Sequence, residues 1–307
     1  MPEISAIICT HNRSEYLKRA VESLLSQSIS KERYEIIIID NRSTDNTKEI
    51  VRDLFLEAPN IVYQYEERLG LSKARNRGLE ESRSEIVVYM DDDAVACQDF
   101  LKRHLEAYEK VSPTPVSVGG RIYLDWEMPK PGWYPDTEGF ERCLTRLDYG
   151  DEARFLEFTR CEYPYGANMS FLKSDLLEIG GFEIGLGRQG TNLLSNEESR
   201  MFYALYERKA KVYYEPRAYV RHAVLKERIN KKFFYRRFYW QGISNAIWCP
   251  PVWTSQPSSI IGHIRGLARG IVELIRLYCK RGEKERESLM RICQICFHGG
   301  FIKQRIF

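Results

Sequence analysis

The sequence predicts an α/β fold: a mostly parallel sheet covered by helices on both faces, extended at the C-terminus by basic helices. Three observations carry this. Short isoleucine-rich runs alternate with amphipathic stretches of 3.6-residue period over the first third of the chain. The runs are apolar on both faces, as strands buried under two helical layers must be. From Lys226 onward there are 16 Lys and Arg against 5 Asp and Glu, whereas the preceding part holds 30 and 38.

Ile4–Cys9 is the first strand. Ser14 is placed to cap a helix whose apolar residues Leu17, Ala20, Val21, Leu24 and Leu25 share one face. Ile36–Ile39 is a strand of four isoleucines, followed by a helix over 46–57 with Ile50, Val51, Leu54 and Phe55. Ile61–Tyr65 is a third strand, Ser72–Glu81 a helix opened by the Gly70 turn, and Ile86–Met90 a fourth strand. After residue 112 the pattern loosens, because Pro113, Pro115, Pro129, Pro131 and Pro135 interrupt long elements. A segment Tyr163–Phe171, a helix over Asn196–Arg208, a strand over Val212–His222 and helical periodicity over 258–279 complete the reading. The expected division is 1–112, 113–225 and a basic tail 226–307.

Composition sets limits. With 307 residues, 43% hydrophobic and 29% charged, the chain is ordinary globular protein. A mean hydropathy of −0.44, with no run near ~18 uncharged apolar residues, argues against a spanning helix. Met1-Pro2-Glu3 carries no basic cluster and Ile4–Cys9 is too short for a signal core, so a cytoplasmic location is expected. The 8 cysteines are scattered. Only Cys293 and Cys296 have ligand-like spacing, which reads more simply as one apolar helix face.

Chemistry is expected beyond the carboxyl ends of the strands, where open parallel sheets bind ligands. Strand one ends in Thr10-His11-Asn12-Arg13, strand two in Asp40, and strand four in Asp91-Asp92-Asp93. Three adjacent acids after a buried strand repel one another unless a cation sits among them. Asp91 and Asp93 leave the strand on one side, and a hard divalent ion shared with phosphate oxygens would resolve the repulsion. The plainer reading is an exposed acidic turn. Arg75 and Arg77, early in the helix after Gly70, suit an anion. No GxGxxG follows strand one and no GxxxxGK[ST] occurs anywhere, so the usual dinucleotide cradle and P-loop are absent.

Ile4–Arg13, Ile39–Asp45, Ala74–Gly78 and Asp91–Asp93 together resemble, in order and spacing, the nucleotide-sugar half of family 2 inverting glycosyltransferases of GT-A fold. Asn196-Glu197-Glu198 is similar to the family's acidic pair, and Tyr214–His222 to its strand ending in histidine. The resemblance implies that Thr10, Asn12, Arg13 and Asp40 hold base and ribose, with Asp40 accepting from a pyrimidine. It implies that Arg75 approaches base or diphosphate, that Asp91 and Asp92 belong to the donor site, and that Asp93 binds Mn²⁺ or Mg²⁺ with His222 as a further ligand. Glu198, or Glu197, becomes the base; the family often has Asp at the position of Glu198. Gly166, Asn168 and Trp133 are expected on the acceptor side, although Trp126, Trp133 and Tyr134 equally suit the core of a lid.

The expected activity is inverting transfer from a UDP-sugar to a glycan or lipid-linked acceptor. A nucleotidyltransferase, or a non-catalytic protein that binds sugar nucleotides, is the alternative. The tail, with aromatics among cations in Lys231–Trp240 and a basic amphipathic stretch beyond, is expected to lie on an anionic membrane face; docking on the catalytic body is its plainer role. No nucleic-acid-reading motif is present.

Overall fold

The computed structural model describes residues 1–253, 259–279 and 284–307. One mixed sheet of nine strands organises the chain. Its parallel part is built from β1 (Ile4–Thr10), β2 (Tyr34–Asp40), β3 (Ile61–Tyr65) and β4 (Ile86–Asp91), in the order β3-β2-β1-β4. The connecting helices are α1 (Ser14–Leu25), α2 (Thr47–Glu57) and α3 (Leu71–Glu81). Alternate side chains of β1 go to opposite faces. Ile4, Ala6 and Ile8 pack with Leu17, Ala20, Val21 and Leu24 of α1, whereas Ile7 joins Ile37, Ile39 and the α3 residues Ala74 and Leu79.

Ser14 does not cap α1. Arg13 holds the N-cap position, and the Asp45 carboxylate accepts the Ser14 amide at 3.1 Å. A loop carboxylate at the positive end of the helix does the work expected of the hydroxyl, while Ser14 Oγ donates to Asn46.

β5 (Ala94–Ala96) and α4 (Phe100–Lys110) follow, then β6 (Ser117–Trp126), α5 (Glu138–Cys143), β7 (Arg154–Phe155), β8 (Met169–Leu172) and α6 (Lys173–Glu178). α7 (Glu197–Glu207) and β9 (Val212–Val224) complete the sheet, which continues past β4 as β8-β6-β9-β5 with β7 on β9. β8 is antiparallel to β4, so the segment after residue 112 extends the same sheet rather than forming one of its own. Of the Tyr163–Phe171 segment only the end from Met169 is strand.

β6 and β9 run parallel with a register shift between Gly120 and Ile122, opposite the Glu215-Pro216 stretch of β9. A Cβ on Gly120 would stand 1.7 Å from the Ala218 carbonyl oxygen and 2.6 Å from Asn168 Nδ2. Neither backbone nor the buried amide can retreat. Gly120→Ala is therefore expected to cost about 2–3 kcal/mol of stability, in the range of overpacked cores, read as a lowered midpoint in urea unfolding.

The basic C-terminal region forms α8 (Lys231–Ile247), α9 (Ile260–Cys279) and α10 (Glu285–Ile306); position 258 of the expected periodic stretch lies outside the described residues. α8 and α10 pack on the sheet-bearing part of the chain. Phe234 of α8 and Leu289 and Cys293 of α10 join Tyr134, Phe140 and Leu144 in a buried cluster. The Cys293–Cys296 spacing is thus a helix face with Cys293 in the core, and all eight cysteines are free. Among the described residues no helix is long and apolar enough to cross a membrane.

Candidate active site

The strand order reverses at β1, which has β2 on one side and β4 on the other, so a crevice opens at their carboxyl ends. Register aligns Thr10 with Asp40 and Cys9 with Asp91. A cavity of about 1090 Å³ lies there, lined by Thr10, Arg13, Asp91, Asp92, Asp93, Arg75, Glu197, Glu198 and His222 among others.

β9 is antiparallel to β5 with Ala94 opposite His222, which carries the imidazole to the acid triplet. His222 Nε2 lies 3.0 Å from Asp93 Oδ1 and 3.8 Å from Asp91 Oδ2. Ligand atoms of Asp91, Asp93 and His222 fall within 4.8 Å of one another, and among the described residues no other His, Cys, Asp and Glu group has this property. Asp93 Oδ1 is buried, and among the described residues it makes no hydrogen bond of good geometry, the 3.0 Å approach of His222 included. Such an open carboxylate oxygen, beside a second carboxylate and an imidazole, fits Mn²⁺ or Mg²⁺.

The two other acids of the triplet differ from Asp91 in their partners. Asp93 Oδ2 accepts from Arg13 at 2.8 Å and from Arg228 at 3.1 Å. Burial opposes its charge, but His222, Arg13 and Arg228 outweigh burial and hold the carboxyl well below the usual range. Asp92 accepts from Thr10 Oγ1 at 2.8 Å and from Arg13 at 3.1 Å. Burial dominates there and raises its pKa, with Asp93 and Asp91 adding to the effect.

In the same cavity wall, α7 is opened by Asn196 at its N-cap, whose φ of 78° is left-handed. Its side chain is tied to Asn245 and the Trp248 carbonyl, and it accepts from Gln241. The C-terminal region therefore fixes the turn that delivers the two glutamates. Arg75, with its side chain 3% exposed, bridges them: Nη1 lies 3.2 Å from Glu197, and Nη2 3.1 Å from Glu198 and 3.6 Å from Asp91. The Gly166 amide donates to Glu198 Oε1 at 2.8 Å. A Cβ at Gly166 would meet Arg75 Nη2 at 1.9 Å. Burial pushes the Glu198 carboxyl up to about 7, against the pull of Arg75.

Several expectations need correction. Arg75 is paired with acids and is no free cation for a diphosphate, and Arg77 pairs with Glu81 at 2.6 Å outside the cavity. Asp40 lies off the cavity wall, its oxygens accepting from Tyr63 and the Ser43 amide. Asn12 lies off the wall too; its Oδ1 accepts from the Thr44 amide and orders the loop after β2. Asn168 is fully buried, holding His104 and the carbonyls of Arg121 and Ala218. Trp133 stands edge-on to Phe234 and under Lys231, with Trp126 and Tyr134 beside it, so that group is packing core. His11, given no role from sequence, does line the cavity.

Sequence reasoning missed Arg188, Arg228 and Trp253. Arg188 lines the cavity with no ion pair among the described residues. Burial, together with Arg228, Arg13 and Arg237, lowers its pKa to about 10. A cation held among cations asks for an anion, and the left-handed glycines 187 and 190 that flank it were the available signal. Trp253 stacks on Tyr163 at 5.5 Å, both in the cavity wall.

The glycosyl transferase family 2 model matches residues 5–179. The chain is 28% identical over 249 residues to the glucosyl-dolichyl phosphate glucuronosyltransferase of Haloferax volcanii, spanning 80% of this chain and 77% of that protein. It is 34% identical over 95 residues to the GalNAc(5)-diNAcBac-PP-undecaprenol beta-1,3-glucosyltransferase of Campylobacter jejuni, 30% of each. Among solved structures, the mannosyltransferase PcManGT of Pyrobaculum calidifontis in complex with GDP-Man and Mn²⁺ is similar in fold. It matches with a TM-score of 0.64 over 98% of this chain and 87% of that one, at 18% identity.

Proposed function

The chain belongs to glycosyl transferase family 2 and has the GT-A fold, and we propose that it transfers a sugar, with inversion, from a UDP-sugar to a glycan carried on a lipid. The observation that carries this is one cavity lined by the strand-end carboxylates, His222, Glu198 and an Arg188 with no ion pair among the described residues. The Haloferax and Campylobacter relatives are named for dolichyl- and undecaprenol-linked substrates, which supports the lipid-linked acceptor.

Asp91, Asp93 and His222 would hold Mn²⁺ or Mg²⁺. The imidazole favours Mn²⁺, the ion in the Pyrobaculum complex. Bound there, the ion would neutralise charge on the departing diphosphate. Arg188 presents its guanidinium group to the same phosphates, and Arg228 holds Asp93 beside them. Thr10, Arg13 and Asp92 form the floor of the donor pocket, and Asn12 and Asp40 hold its loops from behind. Glu198 takes the proton of the acceptor hydroxyl as its oxygen bonds to the anomeric carbon; the bond from that carbon to the phosphate oxygen breaks, and its electrons leave with UDP. Attack opposite the leaving group inverts the centre. Arg75 and the Gly166 amide orient Glu198, and Tyr163 and Trp253 offer flat faces to acceptor sugars. Residues 1–112 serve the donor and 113–225 the acceptor, with 226–307 closing the cavity and meeting an anionic membrane surface.

Release of nucleoside diphosphate from a panel of UDP-, GDP- and dTDP-sugars tests this. UDP release is expected with Mn²⁺, falling to background in EDTA and returning when Mn²⁺ is restored. A rate indifferent to EDTA overturns the metal assignment, and preference for another nucleotide overturns UDP.

A further inference from the structure

Away from the strand ends, the cavity wall is supplied by α8, α9 and α10 and is strongly cationic. Arg237, Arg265, Arg269 and Arg291 line it against one carboxylate, Glu273. Glu273 is already taken by Arg291 at 2.9 Å. Among the described residues Arg265 and Arg269 have no side-chain ion pair or hydrogen bond, and the buried Arg237 Nη1 has no hydrogen-bond partner. Unpaired guanidinium groups converging on a cavity are a demand for an oxyanion with several acceptor atoms. The donor diphosphate is already served by Arg188 near the strand ends, so this is a second anion position.

The outer surface of α9 says what the anion is attached to. Ile261, Ile264, Ile271, Val272, Ile275 and Tyr278 recur at helical spacing and are 44–70% exposed. The opposite side of the helix faces α10, where His263 stacks on Phe301 at 3.6 Å. Arg265 and Arg269 fall between these two sides, at the edge where apolar surface gives way to the cavity. A free phosphate would satisfy the arginines and leave six apolar side chains in water. A nucleic acid would do the same. An anion on a hydrocarbon chain satisfies both features, with α9 lying in the surface of a bilayer.

We propose that Arg237, Arg265, Arg269 and Arg291 form a subsite for the phosphate or diphosphate of a polyprenyl-linked acceptor, whose chain leaves over the isoleucine face of α9. This rests on the lipid-linked acceptor proposed above and adds where the carrier is gripped: at its phosphate, by the C-terminal helices.

The test is calorimetric titration of the full chain, with UDP and Mn²⁺ present to fill the donor end. The probes are geranylgeranyl diphosphate, inorganic pyrophosphate and geranylgeraniol in detergent. Geranylgeranyl diphosphate is expected to bind at least about tenfold more tightly than either of the others. Arg265→Gln with Arg269→Gln weakens it by about tenfold or more, the scale of lost charged hydrogen bonds, and the paired Lys variants recover part of the loss. Ile271→Asp with Ile275→Asp weakens geranylgeranyl diphosphate but not pyrophosphate. Melting curves confirm folding. Equal binding of pyrophosphate, equal binding of geranylgeraniol, or a paired Gln variant that is folded and binds normally each overturns the subsite. The readout needs no turnover. A chain that glycosylates a soluble glycan yet ignores geranylgeranyl diphosphate overturns this inference alone, whereas binding without any transfer sinks the proposed mechanism alone.

Discussion

Asp93→Asn is expected to lower kcat/KM for sugar transfer by about a thousandfold, the scale of losing a group aimed at transition-state charge. The two oxygens of Asp93 do different work. Oδ1, buried and without a well-formed hydrogen bond among the described residues, is the ligand atom beside His222, while Oδ2 accepts from both Arg13 and Arg228. Asparagine keeps an oxygen for one position and puts an NH₂ at the other, where no orientation serves both sites. If the oxygen stays toward His222, two guanidinium groups face a donor. If it turns to the arginines, the ligand is lost. Removing one partner of a buried ion pair costs about 3–5 kcal/mol, so a lower urea midpoint should accompany the kinetic loss. The acid limb follows from the depressed pKa. The stabilisation is fully present above about 3.9, the unfolded value, and is lost as pH falls through the lower folded value. The variant should lack that limb. Manganese titrations of nucleoside diphosphate release separate the effects: a normal Mn²⁺ dependence with normal kcat rules Asp93 out as a ligand.

The parallel half of the fold was legible because its physics is local. Runs such as Ile36–Ile39 are apolar on both faces, and only a sheet covered on both faces buries them; the edge run Ile61–Tyr65, with Gln64 in it, stays half-exposed. The meeting of Asp91, Asp93 and Thr10 followed from strand ends sharing an edge. The pairings across the cavity were not legible. Arg75 looked like a free cation because the acids that follow it on the same helix, Glu80 and Glu81, pair with Arg77; its own partners Glu197 and Glu198 arrive from more than a hundred residues away. Asn168 sat in a loop resembling an acceptor face, but the antiparallel return of β8 beside β4 and β6 buries it against His104. Arg228 was counted with a basic surface, yet it closes on Asp93. Charge read along a chain cannot distinguish a solvated arginine from one whose partner comes from another element. The exposed α9 stripe was legible as period; which of its sides met α10 was not.

Glu198→Gln is expected to reduce kcat by about 10²–10⁴-fold, the range for general-base assistance, with the donor KM near wild type. Glu198 is the better candidate of the pair on geometry. Its side chain is 21% exposed against 7% for Glu197, and it is aimed by the Gly166 amide. A base must be ionised to accept a proton. With the carboxyl pushed up to about 7 by burial, log kcat should rise with unit slope below that pH and level above it. The Gln variant should lose the slope along with the rate. If instead Glu197→Gln gives the larger loss and the pH limb survives in Glu198→Gln, the base is Glu197. Stability supplies an independent sign. An acid whose pKa is raised on folding binds its proton more tightly in the native state, so between about 4.3, the unfolded value, and about 7 stability falls as pH rises. Above that window the native state carries a buried charge it would rather not have, and glutamine removes it. At pH 8 the Gln variant should therefore unfold at the same or a higher urea concentration than wild type, while being nearly inactive. A structural glutamate, kept for its bond to Arg75 and the Gly166 amide, predicts the opposite: lower stability with activity reduced only in proportion.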